Sequence, residues 1–332
     1  MRDGKKVAVI IGGGTSGPPI SEVFCDLKGW HTVSVGPGSD SGGDSGDLKD
    51  ALGILPPGDI RRFLIAHAKD ENQSYLRELF GHRFLPTHAK FPNVVVGNML
   101  AAAAEDKWGR EDGIRAFSQI LNIRGEVHYA SKNDAHLVAE LSDGTQVYGE
   151  KEIDTRDPND SRTIKKVRLE SETVINLKVL DALGDADVVV LSPGDFYTSL
   201  MAILLVFLMM ESINNSTAKI VLVVSLMTKK AETDNYSAAE FVDKLFEYGL
   251  GRLDVALVNT GVIPKRLKKL YKDKNLARPV RYNPTVKKRI LTRGVTVMEG
   301  DYLSREALQS DLIRHDPEKV VAHILQFLTS NT

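Results

Sequence analysis

Two glycine-rich stretches hold the residues whose types and spacing suit chemistry. The first is Val7-Ala-Val-Ile-Ile-Gly12-Gly13-Gly14-Thr15-Ser16-Gly17-Pro18-Pro19. The second is Gly36-Pro-Gly-Ser39-Asp40-Ser41-Gly42-Gly43-Asp44-Ser45-Gly46. Glycine and hydroxyl residues at a helix start aim free backbone N–H groups, and the positive end of the helix dipole, at one point, where an anion such as phosphate is the natural guest. The bland alternative is that the glycines only let a strand turn tightly into a helix. Gly12-x-Gly14-x-x-Gly17 also fits the dinucleotide fingerprint. That fingerprint calls for an acid at the end of the second strand to hold a ribose hydroxyl. Here the expected second strand, His31 to Val35, runs into Gly36, and the nearest acid, Asp40, lies beyond another glycine turn. NAD or NADP is therefore a candidate ligand without hydride chemistry being implied.

Further polar loops follow. Pro56-Pro57-Gly58 breaks the chain, and Asp59 is placed to cap a helix holding Ile60, Phe63, Leu64 and Ala68, with a ligand role equally open. Arg61 and Arg62 in its first turn oppose the dipole unless an anion answers them, so Arg61 is a candidate phosphate contact. Gly97-Asn98 opens an alanine-rich helix, either against a ligand or for close packing. Asn122-Ile-Arg124-Gly125 precedes a strand-like region. Ser192-Pro-Gly194-Asp195-Phe-Tyr197-Thr198-Ser199 repeats the opening logic of strand, glycine turn and hydroxyls. Met227-Thr228 with Glu232, and Asn259-Thr-Gly261, end two more strands, and Arg314 precedes the last helix.

The elements that position these loops alternate. Val7–Ile11, Asp187–Leu191, Lys219–Ser225 and Leu253–Val258 are short apolar runs fit for buried parallel strands. Ile20, Val23, Phe24 and Leu27 lie on one helical face, with Pro18 and Pro19 in the first turn. Leu200–Met210 reads as a buried helix, and Thr173–Leu183 and Ala238–Tyr248 as helices. Glu126–Ala130, Ala135–Leu141 and Thr145–Glu150 are strand-like, with Asp143-Gly144 a hairpin turn, so residues 126–169 are expected to form an inserted antiparallel β lobe. The expected fold is α/β, a Rossmann-like doubly wound and mostly parallel sheet in one domain spanning 1–332. Ligands bind such sheets at the C-terminal ends of the strands.

The totals narrow the class. With 332 residues the chain can bury a large core, and a formal net charge of −1 gives no global basic field to recruit nucleic acid or an acidic membrane. Cys25 is the sole cysteine, so disulfides within the chain and cysteine zinc sites are excluded, and its place between core positions suits a buried thiol. No apolar run is long enough to span a bilayer and no secretory signal is visible; a cytoplasmic location is expected.

The loops, in this order, resemble the CofD superfamily and within it the YvcK-like branch, the gluconeogenesis factor proteins. The resemblance covers nearly the whole chain. Ala51-Leu-Gly-Ile-Leu-Pro-Pro-Gly-Asp-Ile-Arg61 is its most specific phrase. Gly97-Asn98, Leu121–Gly125, Ser192–Ser199, Met227-Thr228, Glu232-Thr-Asp234, Tyr236-Ser237 and Arg314-His-Asp316 fall in family order. The sequence departs from the family pattern at several points. Ser41 stands for a second acid, Asp44 for a serine and Asp47 for an arginine; Asn93-Val94 replaces glycine-histidine; Ser225 and Ala231 replace asparagine and glycine; Ser16 looks inserted. The resemblance implies a Rossmann-like fold and a homodimer. CofD itself is similar to a magnesium-dependent transferase moving phospholactyl from a nucleoside diphosphate carrier to a deazaflavin. YvcK-like proteins look like binders of nucleotide sugars that link carbon metabolism to cell-wall synthesis and cell shape.

Two functions follow as expectations. The first is a regulatory binder of a nucleotide sugar, such as a UDP-sugar, or of a dinucleotide. Gly12, Gly13, Gly14 and Thr15, with Gly42, Gly43, Asp44, Ser45 and Gly46, would cradle the diphosphate, Ser192–Ser199 a second phosphate or sugar, and Arg314 would pair with phosphate charge. The alternative is a phospho-group transferase, with Asp40 and Asp44 sharing one Mg²⁺ and Asp59 orienting the acceptor. A nicotinamide oxidoreductase rests on the fingerprint alone, and a nucleic-acid module lacks basic-aromatic clusters.

Overall fold

The computed structural model describes residues 4–38, 46, 48, 51–68, 74–157, 159–274 and 277–330. A seven-stranded sheet forms the centre, in the order β10-β9-β8-β7-β1-β2-β3 and parallel throughout. Its strands are β1 (Lys6–Ile11), β2 (Trp30–Gly36), β3 (Glu126–Tyr129), β7 (Val188–Leu191), β8 (Lys219–Val223), β9 (Val255–Asn259) and β10 (Thr296–Gly300). The apolar runs are buried on both faces because both faces are covered. Val9, Ile11, Val189, Leu191, Ile220 and Leu222 face one core. Ala8, Ile10, Val188, Val190, Val221 and Val223 face the other, beneath Ile20 and Phe24 of α1 (Gly17–Asp26) and Val320, Ile324 and Phe327 of the helix Pro317–Ser330. This period-two division is what a doubly wound sheet requires.

The chain leaves β1 towards β2 and β3 on one side, then returns to lay β7 against β1's other edge and proceeds outward to β10. The strand order therefore reverses between β1 and β7, the point at which such sheets open a crevice above their C-terminal ends.

Several expectations are corrected. Glu126–Tyr129 does not join the antiparallel lobe; it pairs parallel with β2, Val33 opposite Glu126 and Gly36 opposite Tyr129. It lies at the edge of the sheet, with β2 its one neighbour strand among the described residues, and this position admits the polar Glu126 and His128. The small sheet is β5-β4-β6, made of β4 (Leu137–Leu141), β5 (Gln146–Tyr148) and β6 (Ile164–Leu169), with the helix Glu150–Asp154 packed on it. Leu200–Met210 is not one helix. A π-helical turn, Phe196–Met201, runs into Ala202–Leu204, and Leu208 at φ +70 starts a separate helix, Met209–Asn215. Thr173–Ile175 precede the next helix, which starts at Leu177 because the Asn176 side chain caps it, accepting from Lys178 N–H at 3.1 Å. No helix among the described residues is long and apolar enough to cross a membrane.

Cys25 Sγ donates to the Arg124 carbonyl, and burial pushes the thiol up to about 11, which removes it as a nucleophile at neutral pH. Near it, Ser21 Oγ, Ser34 Oγ and His67 Nε2 form a buried chain with 2.8 Å links. Burial pulls His67 down to about 4. The unfolded chain takes up that proton near pH 6.5 and the folded one only near 4, so stability falls as pH drops between those values. At pH 5 the cost is about 2 kcal/mol relative to pH 7.5. Urea unfolding at the two pH values should show a loss smaller by about that amount in His67→Gln than in the wild type.

Candidate functional site

At the switch point the first glycine loop is held from three sides. Gly12 N–H donates to the Val35 carbonyl at 3.1 Å, Ser192 N–H to the Ile11 carbonyl at 2.9 Å, and Gly14 N–H to Asp59 Oδ1 at 2.9 Å. The fit admits no side chain at two positions. A Cβ on Gly12 would stand 1.9 Å from Ser192 Oγ, and one on Gly13 2.4 Å from Asp59 Oδ2. Asp59 is thus not the N-cap expected of it. Pro57 holds that place, and the buried Asp59 carboxylate braces the loop while also accepting from Arg62 Nη1 at 2.5 Å. The amides of Gly13, Thr15 and Ser16 donate to no acceptor among the described residues. Ser192 Oγ is buried without a hydrogen-bond partner, against the start of α1.

Gly14, Thr15 and Ser16 open on a cavity of about 330 Å³, whose lining also includes Pro193, Asp195, Thr228, Lys229 and Arg314. Among the described residues the Arg314 guanidinium bonds only the Ile313 carbonyl, at 3.2 Å, which leaves most of its donors for a ligand. Asp195 on this lining belongs to a concentration of acid. Asp154, Asp195 and Glu232 present carboxylate oxygens within 4.8 Å of one another. Lys229 Nζ reaches all three, at 3.0 Å from Asp195 and from Glu232 and closer still to Asp154. Loss of water around Asp195, and then the negative charges of Glu232 and Asp59, push its carboxyl up to about 7 against the pull of Arg314. Three carboxylates at this spacing are a set a divalent ion could use. Lys229 holds their centre, so as arranged they fit the ammonium and do not fit Mg²⁺.

Other residues chosen from sequence divide into three groups. Thr228 lines the cavity and is pinned by Arg278, its N–H donating to the Arg278 carbonyl at 2.7 Å. Behind the wall, Tyr197 hydroxyl meets Tyr236 hydroxyl at 2.7 Å, Tyr197 N–H and Thr198 Oγ1 donate to Glu232, and Ser199 N–H bonds the Asp195 carbonyl. Those groups fix the π-helical turn that carries Asp195. Gly194 approaches the Gly13 carbonyl and accepts from Ser225 Oγ at 3.1 Å. Elsewhere, Arg61 is buried, its Nε donating to Asn98 Oδ1 at 2.7 Å, and Gly97 lets Phe80's carbonyl come within 2.4 Å of where a Cβ would be. Arg124 bonds Asp26 and the Ala68 carbonyl at the N-terminal edge of β3, and Asn122 is exposed there at φ +44, so neither is brought to the crevice. Asn259 spends its amide on Gly261 and Tyr302. Gly46 is buried; Asp40, Gly42, Gly43, Asp44 and Ser45 lie outside the described residues.

Sequence reasoning gave no role to Asp154, Lys229 or His315. Asp154 arrives from the antiparallel lobe, which Arg156 ties to the same segment by bonding the Ala231 carbonyl at 3.1 Å. Ala231 itself stands at φ +67, where glycine is unstrained, which gives a physical meaning to the glycine expected there. His315 lines the cavity with Nε2 3.2 Å from the Val224 carbonyl, and burial pulls it down to about 4.

A family model described as 2-phospho-L-lactate transferase CofD matches residues 8–303. The chain belongs to the CofD family. It is 34% identical to a putative gluconeogenesis factor of Thermoanaerobacterium thermosulfurigenes over 330 residues, 98% of either chain. It is 32% identical to the gluconeogenesis factor of Bacillus subtilis over 333 residues, 98% of this chain and 99% of that one. A crystal structure of a UPF0052 family member from Bacillus halodurans matches with a TM-score of 0.87 at 32% identity, covering 97% of this chain and 99% of the other. Within the CofD family the chain is thus of the gluconeogenesis-factor, YvcK-like type.

Removing the Lys229 ammonium leaves three carboxylates facing each other. Lys229→Met should destabilise the fold by about 1–3 kcal/mol at pH 8 and by clearly less at pH 5.5, since a protonated Asp195 relieves the repulsion. Denaturant titrations of both proteins at the two pH values measure this.

Proposed function

We propose that this protein is a cytoplasmic regulatory binder of a nucleotide diphosphate ligand, a nucleotide sugar in the first instance. The observation that carries the reading is the pair of amides of Thr15 and Ser16, without an acceptor among the described residues, on the cavity lining at the start of α1, with Arg314 on the same lining. Free amides at a helix start are answered by an anion. One phosphate would sit on this side, with Arg314 neutralising charge across the cavity. The Asp195 carboxylate, on the same lining, suits a different guest. Carboxylates repel a second phosphate but accept hydrogen bonds from sugar hydroxyls. That asymmetry favours a nucleotide sugar over a dinucleotide, as does the run Gly36-Pro37-Gly38 after β2, which offers no acid for a ribose. The gluconeogenesis-factor names of the relatives support a link to carbon metabolism. A role in cell-wall synthesis and cell shape, and action as a homodimer, belong to the same reading on the strength of resemblance.

A second reading, transfer of a phospho-group, is favoured by the description of the family model and by Asp195, whose raised carboxyl is suited to proton exchange near neutrality. No step through Mg²⁺ is drawn, because Lys229 occupies the described carboxylate set.

Calorimetric titration with UDP-N-acetylglucosamine, UDP-glucuronate, NAD and NADP, with and without Mg²⁺, separates these readings. Metal-independent binding of a UDP-sugar is expected, weakened about tenfold or more by Arg314→Ala, which removes hydrogen bonds to a charged group, and weakened less by Arg314→Lys, which keeps the charge. Binding that requires Mg²⁺ would turn the assignment to a transferase. Binding indifferent to both substitutions would place the ligand elsewhere.

A further inference from the structure

The net charge of −1 conceals a segregated one. Residues 265–293 contain twelve lysines and arginines and one acid, Asp273, whereas the chain as a whole has 43 basic and 44 acidic residues. The run begins in the helix Lys265–Asp273. Only Leu267 of that helix is buried, packed with Leu226, Ile263, Leu303 and Ile313. Lys265, Lys268, Lys269 and Lys272 recur at i, i+3, i+4 and i+7, which sets them on one face directly opposite Leu267. All four are exposed, and no acid pairs with them among the described residues. Arg266, off that face, is the residue that takes a partner, Asp311.

This arrangement breaks two local rules. Like charges at i, i+4, here Lys265 with Lys269 and Lys268 with Lys272, repel. Basic residues in the first turn, with no acid there, oppose the helix dipole. A helix that accepts both penalties on its solvent face makes sense if an external anion answers the charge. The choice of lysine narrows the partner. Ammonium groups on a convex helix face are point charges, lacking the planar forks and exposed aromatic platforms with which nucleic acids are gripped. Tyr271, the helix's aromatic residue, is turned into the cavity wall. At the N-terminal end of the stripe Val262 is 84% exposed, an apolar side chain placed where it could enter an interfacial layer.

We propose that the outer face of the helix Lys265–Asp273, with Val262 at its edge, is an electrostatic docking surface for an anionic lipid bilayer. The remainder of the chain carries a surplus of acid, so only this face is attracted and the approach is oriented. Tyr271 and Lys268 of the same helix line the ligand cavity and a neighbouring one of about 190 Å³, so docking sets the crevice beside the bilayer. The inference does not depend on what the crevice binds.

The test is co-sedimentation of the full chain with phosphatidylcholine vesicles with and without phosphatidylglycerol. Binding only to the anionic vesicles is expected, falling steeply with salt, weakened at least about a hundredfold by K265E/K268E/K269E/K272E, and weakened less by Val262→Asp. Circular dichroism melts confirm that both variants fold. Equal sedimentation with neutral vesicles, binding that survives the charge reversal, or tighter binding to duplex DNA or single-stranded RNA than to the vesicles would overturn the proposal.

Discussion

Everything at the crevice depends on one steric condition: the loop after β1 and the loop after β7 lie so close that glycine alone fits between them. The cause is the reversal of strand order. β2 and β7 flank β1 and lead away in opposite directions, so their connections leave the space above β1 open. Into that space Ser192 and Asp59 press from either side, at distances from Gly12 and Gly13 that leave no room for a methyl group. The backbone of the loop is thereby exposed to a ligand, and the orphaned Ser192 hydroxyl is a consequence of the same approach.

The crevice is chemically two-sided. The amides of Thr15 and Ser16 and the Arg314 guanidinium provide donors, while Asp195 provides an acceptor and is tied through Lys229 to Asp154 and Glu232. The acceptor side draws on three separate segments. The π-helical turn after β7 supplies Asp195, the segment after β8 supplies Lys229 and Glu232, and the antiparallel lobe supplies Asp154. The lobe is therefore part of the site's construction as well as an insertion. Lys229 allows these acids to be gathered in one place, and in doing so it takes the position a metal ion would need.

How much of this could be read from sequence follows from the physics of each part. Strands buried on both faces must be apolar throughout, so β1, β7, β8 and β9 stand out as short runs, and the loops after them were legible as a ligand-facing edge. β3 was misassigned to the lobe because an edge strand carrying Glu126 and His128 alternates like an antiparallel one. Side-chain roles were less legible, since the same residue types serve ligands and the protein itself. Arg61 with Asn98 turns its polar groups inward, Arg124 pairs with Asp26 at the surface, and Asp59 braces a loop in place of capping a helix. Asp154 and Lys229 are far apart in the chain, and no local pattern announces their meeting. Total charge was the least informative quantity, because it averages a basic segment against an acidic remainder.

The central claim is that the β1/β7 switch point is where the ligand binds. Amide hydrogen exchange with and without UDP-N-acetylglucosamine tests it most directly, because bound phosphate oxygens must shield the amides they accept from. The expected result is slowed exchange at residues 12–17, extending to 192–199 and 227–233, with 122–125 and 96–98 unchanged. Protection confined to 96–98 or 122–125, with the glycine loop exchanging as freely as before, would contradict the assignment.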